Sequence, residues 1–460
     1  MGRSCGRLGG GRLLVLLGVW ALAGCETPAP TDVVSEASDD VALDASAVSS
    51  NGRTVDTYDA DVAIAWYRLG FQLTENEGIF PPPAARIFGY TGVTLWEAVV
   101  PGVRGGKSLV GQLNGLQQVP RPREVVHWPA VVNSAMATIQ RRFYTQQRST
   151  KAIIDLENAF IAQFRDKVPP DVLKRSMQHG HQVANAVWQW STSDGYELAN
   201  DCAYTPPVGA GLWVRTPPGF DGAVQPCWGS IRPMVMAASN ACDPGFHPEY
   251  SVDPASEFHL QALEVFDVGN NLTQAQRTIA LYWADLAGES PTPAGHSLSI
   301  GTQVIEMVDG SLALAAEALA RVGIAEMDAF ISAWAAKYKY NLLRPITYIN
   351  AHIDPAWTAT LDTPPFPAYT SGHSNDVGAS STVMTAMFGG GFAFTDHTLD
   401  NKGFAPRSYG SFFEAADESA ISRLYGGIHY RFDIEEGVSQ GACVGAQVNA
   451  LPFHRGLVSD

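Results

Sequence analysis

Lys337 and Arg344 stand seven residues apart in WAAKYKYNLLRP, among Trp334, Tyr338, Tyr340, Leu342 and Leu343. On a helix that spacing is two turns, which puts both cations on one face. Pro345 marks the end of such a helix. So many apolar neighbours make a solvated charge stripe a poor description of the pair. Ser371-Gly372-His373 follows the stiff stretch PPFPAYT and opens a small-residue run that reads as a helix. A helix start offers unpaired N–H groups, glycine lets a ligand close on the backbone, and the hydroxyl adds a donor, which together make an anion cradle. Pro364, Pro365 and Pro367 preorganise the approach to it. In SRLYGGIHYRFDIEEG, Arg423 and His429 flank Gly426-Gly427, a helix-ending pair, and Asp433 reads as the N-cap of the next helix. Four residues from His429, Asp433 can also hold the imidazole by its second nitrogen. Three cations, a helix start and two imidazoles are suited to gripping an oxyanion while histidine moves a proton or supplies a lone pair.

In chain order these are Lys-x6-Arg-Pro, Ser-Gly-His and Ser-Arg-x5-His-x3-Asp, spread from Lys337 to Asp433. The series resembles the signature of the vanadium-dependent haloperoxidase and type 2 phosphatidic acid phosphatase superfamily at every charged position. It departs from it at Thr370, where the family usually has proline, and that change removes no ligand. The resemblance implies that Lys337, Arg344 and Arg423 hold the oxygens of vanadate or phosphate, helped by Ser371 and the Gly372 N–H. It places His429 axially as the one vanadium ligand and His373 opposite as acid/base, with Lys337 also polarising peroxide. Vanadate is then the cofactor, and phosphate competes for the same site. The implied function is oxidation of halide by hydrogen peroxide to hypohalous acid. The alternative is an acid phosphatase that hydrolyses phosphate monoesters through a phospho-histidine at His429. A third reading, a non-catalytic oxyanion-binding lipoprotein, needs neither histidine, and both are present. Trp334 and Phe366 resemble the aromatic pair near the halide position of fungal-type chloroperoxidases and favour the haloperoxidase. Upstream, LYWADLAGESPTPAGH resembles a segment of bacterial members, by which Asp285 pairs with Arg423. His296 reads as structural, and His352 and His397 as loop histidines.

Positioning such residues takes a large scaffold, and 460 residues that are 46% hydrophobic supply one. Apolar residues recur at three- and four-residue spacing in most segments beyond Ala60, and no alternation of period two is sustained. The fold class is therefore all-α, helical bundles (two four-helix bundles) with long ordered loops. Residues 59–195 form an N-terminal helical region, 196–255 an irregular Cys-containing connector, and 256–460 a C-terminal helical domain with the oxyanion site. Thr273 reads as the N-cap of QAQRTIALYWADLAG.

Residues 1–24 read as a lipoprotein signal peptide: three arginines, the apolar run Leu13 to Ala23, then Leu22-Ala23-Gly24-Cys25, which resembles a bacterial lipobox. Cys25 is then the lipidated residue, and 25–58 a disordered acidic tether. The reading implies an exported protein, periplasmic or at the cell surface, held to the membrane by its lipid; in a Gram-negative host, Glu26 in place of aspartate favours the outer membrane. A radioactive fatty acid is expected to label the wild type and not Cys25→Ala; equal labelling of both contradicts the lipobox. Cleavage removes three positive charges, so a formal net charge of −16 becomes −19, which argues against nucleic acid as a partner. The partners are hydrogen peroxide and halide, or a phosphate ester. The remaining cysteines, Cys202, Cys227, Cys242 and Cys443, permit two disulfides in three connectivities.

Overall fold

The helical periodicity is realised throughout the computed structural model, which describes residues 54–454. The leader, Cys25 and nearly all of the tether lie outside the described residues. The N-terminal helices are α1 (Asp61–Glu77), α2 (Pro81–Val99), α3 (Trp128–Phe143), α4 (Gln147–Arg165) and α5 (Pro170–Ser191). A stretch with little regular structure follows, holding the short α6 (Tyr196–Asn200). Then come α7 (Glu257–Asn270), α8 (Gln274–Tyr282), α9 (Thr292–Met307), α10 (Leu312–Tyr340), α11 (Pro345–His352), α12 (Gly372–Phe388), α13 (Phe412–Tyr425) and α14 (Arg431–Asn449). Thr273 caps α8 in a capping box with Gln276. Two three-residue strands, β1 (Phe394–Asp396) and β2 (Arg407–Tyr409), pair antiparallel. Among the described residues no helix is long and apolar enough to cross a membrane.

The 29-residue α10 is the common wall of the packing. On one side it meets α2, where Gly89, Gly92 and Gly323 let the two backbones close together. On another it meets α12 and α14. Helix α14 carries glycines at 437, 441 and 445, four residues apart and so on one face. A Cβ at Gly441 would lie 2.0 Å from the Asn375 carbonyl oxygen of α12. Any side chain there must push α12 away. Gly441→Ala is therefore expected to destabilise the fold by about 1–3 kcal/mol or more, read as a lowered denaturation midpoint. An unchanged midpoint would contradict this packing.

Two joints depart from the sequence reading. Helix α10 ends at Tyr340, well before Pro345, because Asn341 takes the left-handed conformation (φ 51°) that asparagine tolerates at a helix end. Arg344 is extended, as the residue before a proline prefers, and caps α11 with Pro345 at its first position. Lys337 and Arg344 thus converge across a helix break, not along one helix face. At α14 the N-cap is Tyr430; Asp433 sits three residues in and accepts the Tyr430 N–H at 3.1 Å. The four cysteines pair as Cys202–Cys227 and Cys242–Cys443, so Cys443 is not a free thiol.

Candidate active site

Ser371 caps α12: its Oγ accepts the Ser374 N–H at 3.2 Å, and its own N–H donates to the Asp433 carbonyl at 3.0 Å. The first turn of α12 is thereby tied to the start of α14, and the Ser371 hydroxyl hydrogen stays available to a ligand. A Cβ at Gly372 would meet the Trp334 ring at 3.3 Å, so glycine admits the indole against the backbone.

The three cations lie within this setting, essentially without exposure: Lys337 0%, Arg344 0% and Arg423 1%. Backbone carbonyls aim them. Lys337 Nζ donates to Pro367 O (3.0 Å) and Ala368 O (2.9 Å), which leaves one of its three N–H groups. Arg344 donates from Nε to Phe366 O (2.7 Å) and from Nη1 to Ile428 O (2.8 Å). Arg423 donates from Nη2 to the Trp283 carbonyl and from Nε to Ser422 Oγ (2.9 Å). The proline-rich approach is therefore more than a stiffener: its carbonyls fix two of the cations, a role that residue types do not reveal.

Both histidines face these cations. His429 Nδ1 lies 2.9 Å from Asp433 Oδ2, and Nε2 lies 3.1 Å from Arg344 Nη1. With the carboxylate taking Nδ1–H, Nε2 carries the lone pair. His373 Nε2 lies 3.3 Å from Arg423 Nη1. Burial, then Arg344, Lys337 and Arg423, push the His429 pKa well below the usual imidazole range. Burial and Arg423 do the same to His373. Both shifts favour the neutral rings. Burial also lowers Arg344 and Arg423 to about 10 and, with Arg344 as neighbour, drives Lys337 well down.

Trp334 and Phe366 come together at one side, ring centroids 5.0 Å apart. Lys337 Nζ lies 5.0 Å from the Phe366 centroid and 5.7 Å from that of Trp334. Asp285 does not pair with Arg423 by a hydrogen bond. It binds His296 Nδ1 at 3.0 Å, while His296 Nε2 meets Asp396 Oδ2 at 2.8 Å. Burial opposes the His296 charge, but the two carboxylates outweigh it and lift its pKa to about 10. The ring stacks on Trp283 at 4.5 Å, and the Trp283 carbonyl holds Arg423. His296 is thus a structural cation behind the site, and its partner Asp396, 100 residues away, carries no local sequence signal. His352 ends α11 instead of lying in a loop, and His397 pairs with Asp400 at the surface.

A crystal structure described as the first bacterial vanadium-dependent iodoperoxidase superposes with a TM-score of 0.81 at 34% identity, over 86% of this chain and 98% of that one. The chain belongs to the vanadium-dependent haloperoxidase family. Within it, the family described as VCPO second helical-bundle domain matches residues 317–453, a span that contains every residue from Lys337 to Asp433. The vanadium chloroperoxidase of Curvularia inaequalis is 28% identical over an alignment that covers 26% of this chain and 28% of that enzyme. The match therefore spans little more than a quarter of that relative's length. The holo form of a bacterial vanadium-dependent chloroperoxidase shares the fold, with a TM-score of 0.61 at 16% identity over 82% of this chain and 94% of that one.

The residues present fit the family's anion. Three buried cations converge here. Asp433, one of the carboxylates near them, already holds a histidine. Arg344 Nη2 is buried with no partner among the described residues. Such a site favours a multiply charged oxyanion with several acceptors.

Proposed function

We propose that the protein is a vanadate-dependent haloperoxidase that oxidises halide with hydrogen peroxide. The observation that supports this most is the convergence of buried Lys337, Arg344 and Arg423 on His373 and His429, in a chain of this family. Bound vanadate would supply an electrophilic centre that activates peroxide toward halide.

The chain's own residues divide the remaining work. His429 holds the anion through Nε2, and Asp433 fixes the tautomer that leaves that lone pair free. Lys337, Arg344 and Arg423 neutralise the oxygens, with Ser371 Oγ–H and the first N–H groups of α12. His373, neutral and beside Arg423, accepts the proton that peroxide must lose. Lys337, with one N–H uncommitted, favours negative charge developing nearby. Trp334 and Phe366 form an apolar wall that strips water from a halide. The likeness to an iodoperoxidase supports iodide as the first halide to test. The phosphatase alternative requires His373 as an acid, whereas burial and Arg423 favour its neutral ring.

Purified protein with orthovanadate is expected to oxidise iodide and brominate a phenol dye with peroxide, and phosphate should inhibit until excess vanadate displaces it. Brisk hydrolysis of an aryl phosphate, with no vanadate-dependent halide oxidation at any pH, would overturn the proposal.

A further inference from the structure

Residues between Cys202 and Cys227 are mostly exposed, with Trp213 and Thr216 the buried exceptions. A segment with so little core should open readily. Yet its ends are joined by the Cys202–Cys227 disulfide, and it is laid across the two stretches that build the candidate site. Near the end of α10, Trp213 N–H donates to Asn341 O at 2.7 Å and Leu343 N–H to Gly211 O at 3.0 Å. At the proline-rich approach, Thr216 Oγ1 donates to Thr363 O at 3.4 Å.

Val224 makes the decisive contacts. Its carbonyl accepts both the Tyr338 hydroxyl at 2.7 Å and the Trp334 indole N–H at 3.4 Å. Its N–H donates to Pro365 O at 3.0 Å, one residue before Phe366. One residue of the strap therefore holds the Trp334 ring directly and the backbone next to Phe366. With Val224 withdrawn, the buried Trp334 indole N–H and the half-buried Tyr338 hydroxyl lose their acceptor and must turn or admit water. A wetter wall leaves a halide better hydrated and less readily bound.

We propose that the disulfide-closed strap 202–227 is a positioning element for the halide-side wall, acting through Val224, and that opening the disulfide weakens halide use more than oxyanion binding. The role of that wall rests on the haloperoxidase reading above. The oxyanion cradle is set mainly by contacts outside the strap: the Phe366 to Ala368 carbonyls, Ile428 and the start of α12.

The test compares wild type, Cys202→Ser/Cys227→Ser and Tyr338→Phe. Amide exchange is measured over 211–226 and 338–343, orthovanadate affinity by equilibrium binding, and KM and kcat for iodide and bromide. The double variant is expected to speed exchange at Val224 and Leu343, raise halide KM about tenfold, and change kcat and vanadate affinity by less than about threefold. Tyr338→Phe, which loses one hydroxyl donor, should give a smaller rise in halide KM. Should the double variant not fold, mild reduction of folded wild type, in which Cys202 and Cys227 are half-buried, takes its place, with Cys242→Ser/Cys443→Ser as the control for the second disulfide. Unchanged exchange would show that the strap stays in place without the disulfide. Faster exchange with unchanged halide KM would show that it does not position the wall. Equal losses in halide KM and vanadate affinity would make it a general structural brace. Any of these overturns the proposal. If wild type oxidises no halide, the functional reading fails and the strap's role at a halide wall with it; exchange and vanadate affinity, which need no turnover, still show whether the strap holds the site.

Discussion

His429→Ala is expected to abolish vanadate-dependent halide oxidation, with activity falling by roughly a thousandfold or more, as when a sole nucleophilic or ligating group is removed. The reason lies in the hydrogen bonds of one ring. Asp433 binds Nδ1, and Arg344 approaches Nε2, so the lone pair faces the three cations. The other two imidazoles nearby are placed differently: His373 lies against Arg423, and His296 is a doubly paired cation. His373→Ala should separate binding from turnover. The cations remain, so anion affinity should persist, while turnover should drop by about 10²–10⁴-fold with the loss of the base. Equal activity of His429→Ala and wild type would remove His429 from the chemistry.

His296→Ala is expected to cost about 3–5 kcal/mol of stability, the usual result of removing one partner from a buried ion pair. Asp396 would keep Tyr282, Thr398 and Gln303 as donors, whereas Asp285 would lose its partner and leave a carboxylate at 4% exposure. The pH dependence has a definite sign. The His296 pKa is raised from 6.5 to about 10, so its contribution is full below about pH 6.5 and is lost as pH rises through about 10. Wild type should lose stability between about pH 7 and 10, and His296→Gln should show a flatter profile over that window in urea titrations. A second loss is expected at acid pH: Asp396 is held below the usual carboxylate range by His296, against the effect of burial, and its contribution goes as it protonates. A wild-type profile that is flat from pH 7 to 10 would mean that His296 is neutral.

The Glu326–Asp376 pair behaves in the opposite sense to Asp396. Both carboxyls are fully buried, one on α10 and one on α12, and lie against each other with Ser297 donating to Asp376 at 2.9 Å. Burial, and for Glu326 also the Asp376 charge, raises both, Asp376 to about 6. The folded protein prefers a shared proton, so this contribution is lost as pH rises through about 6. Glu326→Gln should therefore lessen the decline in stability between about pH 4 and 7; an unchanged decline would place its source elsewhere.

What could be read from residue types was the chemistry. Lys337, Arg344, Ser371, Gly372, His373, Arg423 and His429, the residues proposed to carry it, stand in an order that fixed spacings make specific, and the three-to-four-residue periodicity carries the helical class. What could not be read was how the chain delivers them. The spacing of Lys337 and Arg344 suits one helix, yet a left-handed Asn341 breaks it, since asparagine's tolerance of that conformation competes with helix propensity. The strands at Phe394 and Arg407 are three residues long, too short to show alternation. Asp285 lies near Arg423 but binds His296, because Asp396 arrives from a distant strand to complete that pairing. The glycine stripe of α14 and the strap contacts of Val224 depend on long-range packing, which one sequence does not encode locally.

All of the chemistry above depends on these residues forming one oxyanion site with His429 as the ligand to vanadium. Anomalous diffraction at the vanadium edge, from crystals grown with orthovanadate, reads that arrangement directly. One strong peak is expected at bonding distance from His429 Nε2, with its oxygens contacted by Lys337, Arg344 and Arg423. A peak elsewhere, or one at this site without a bond to His429, would refute it.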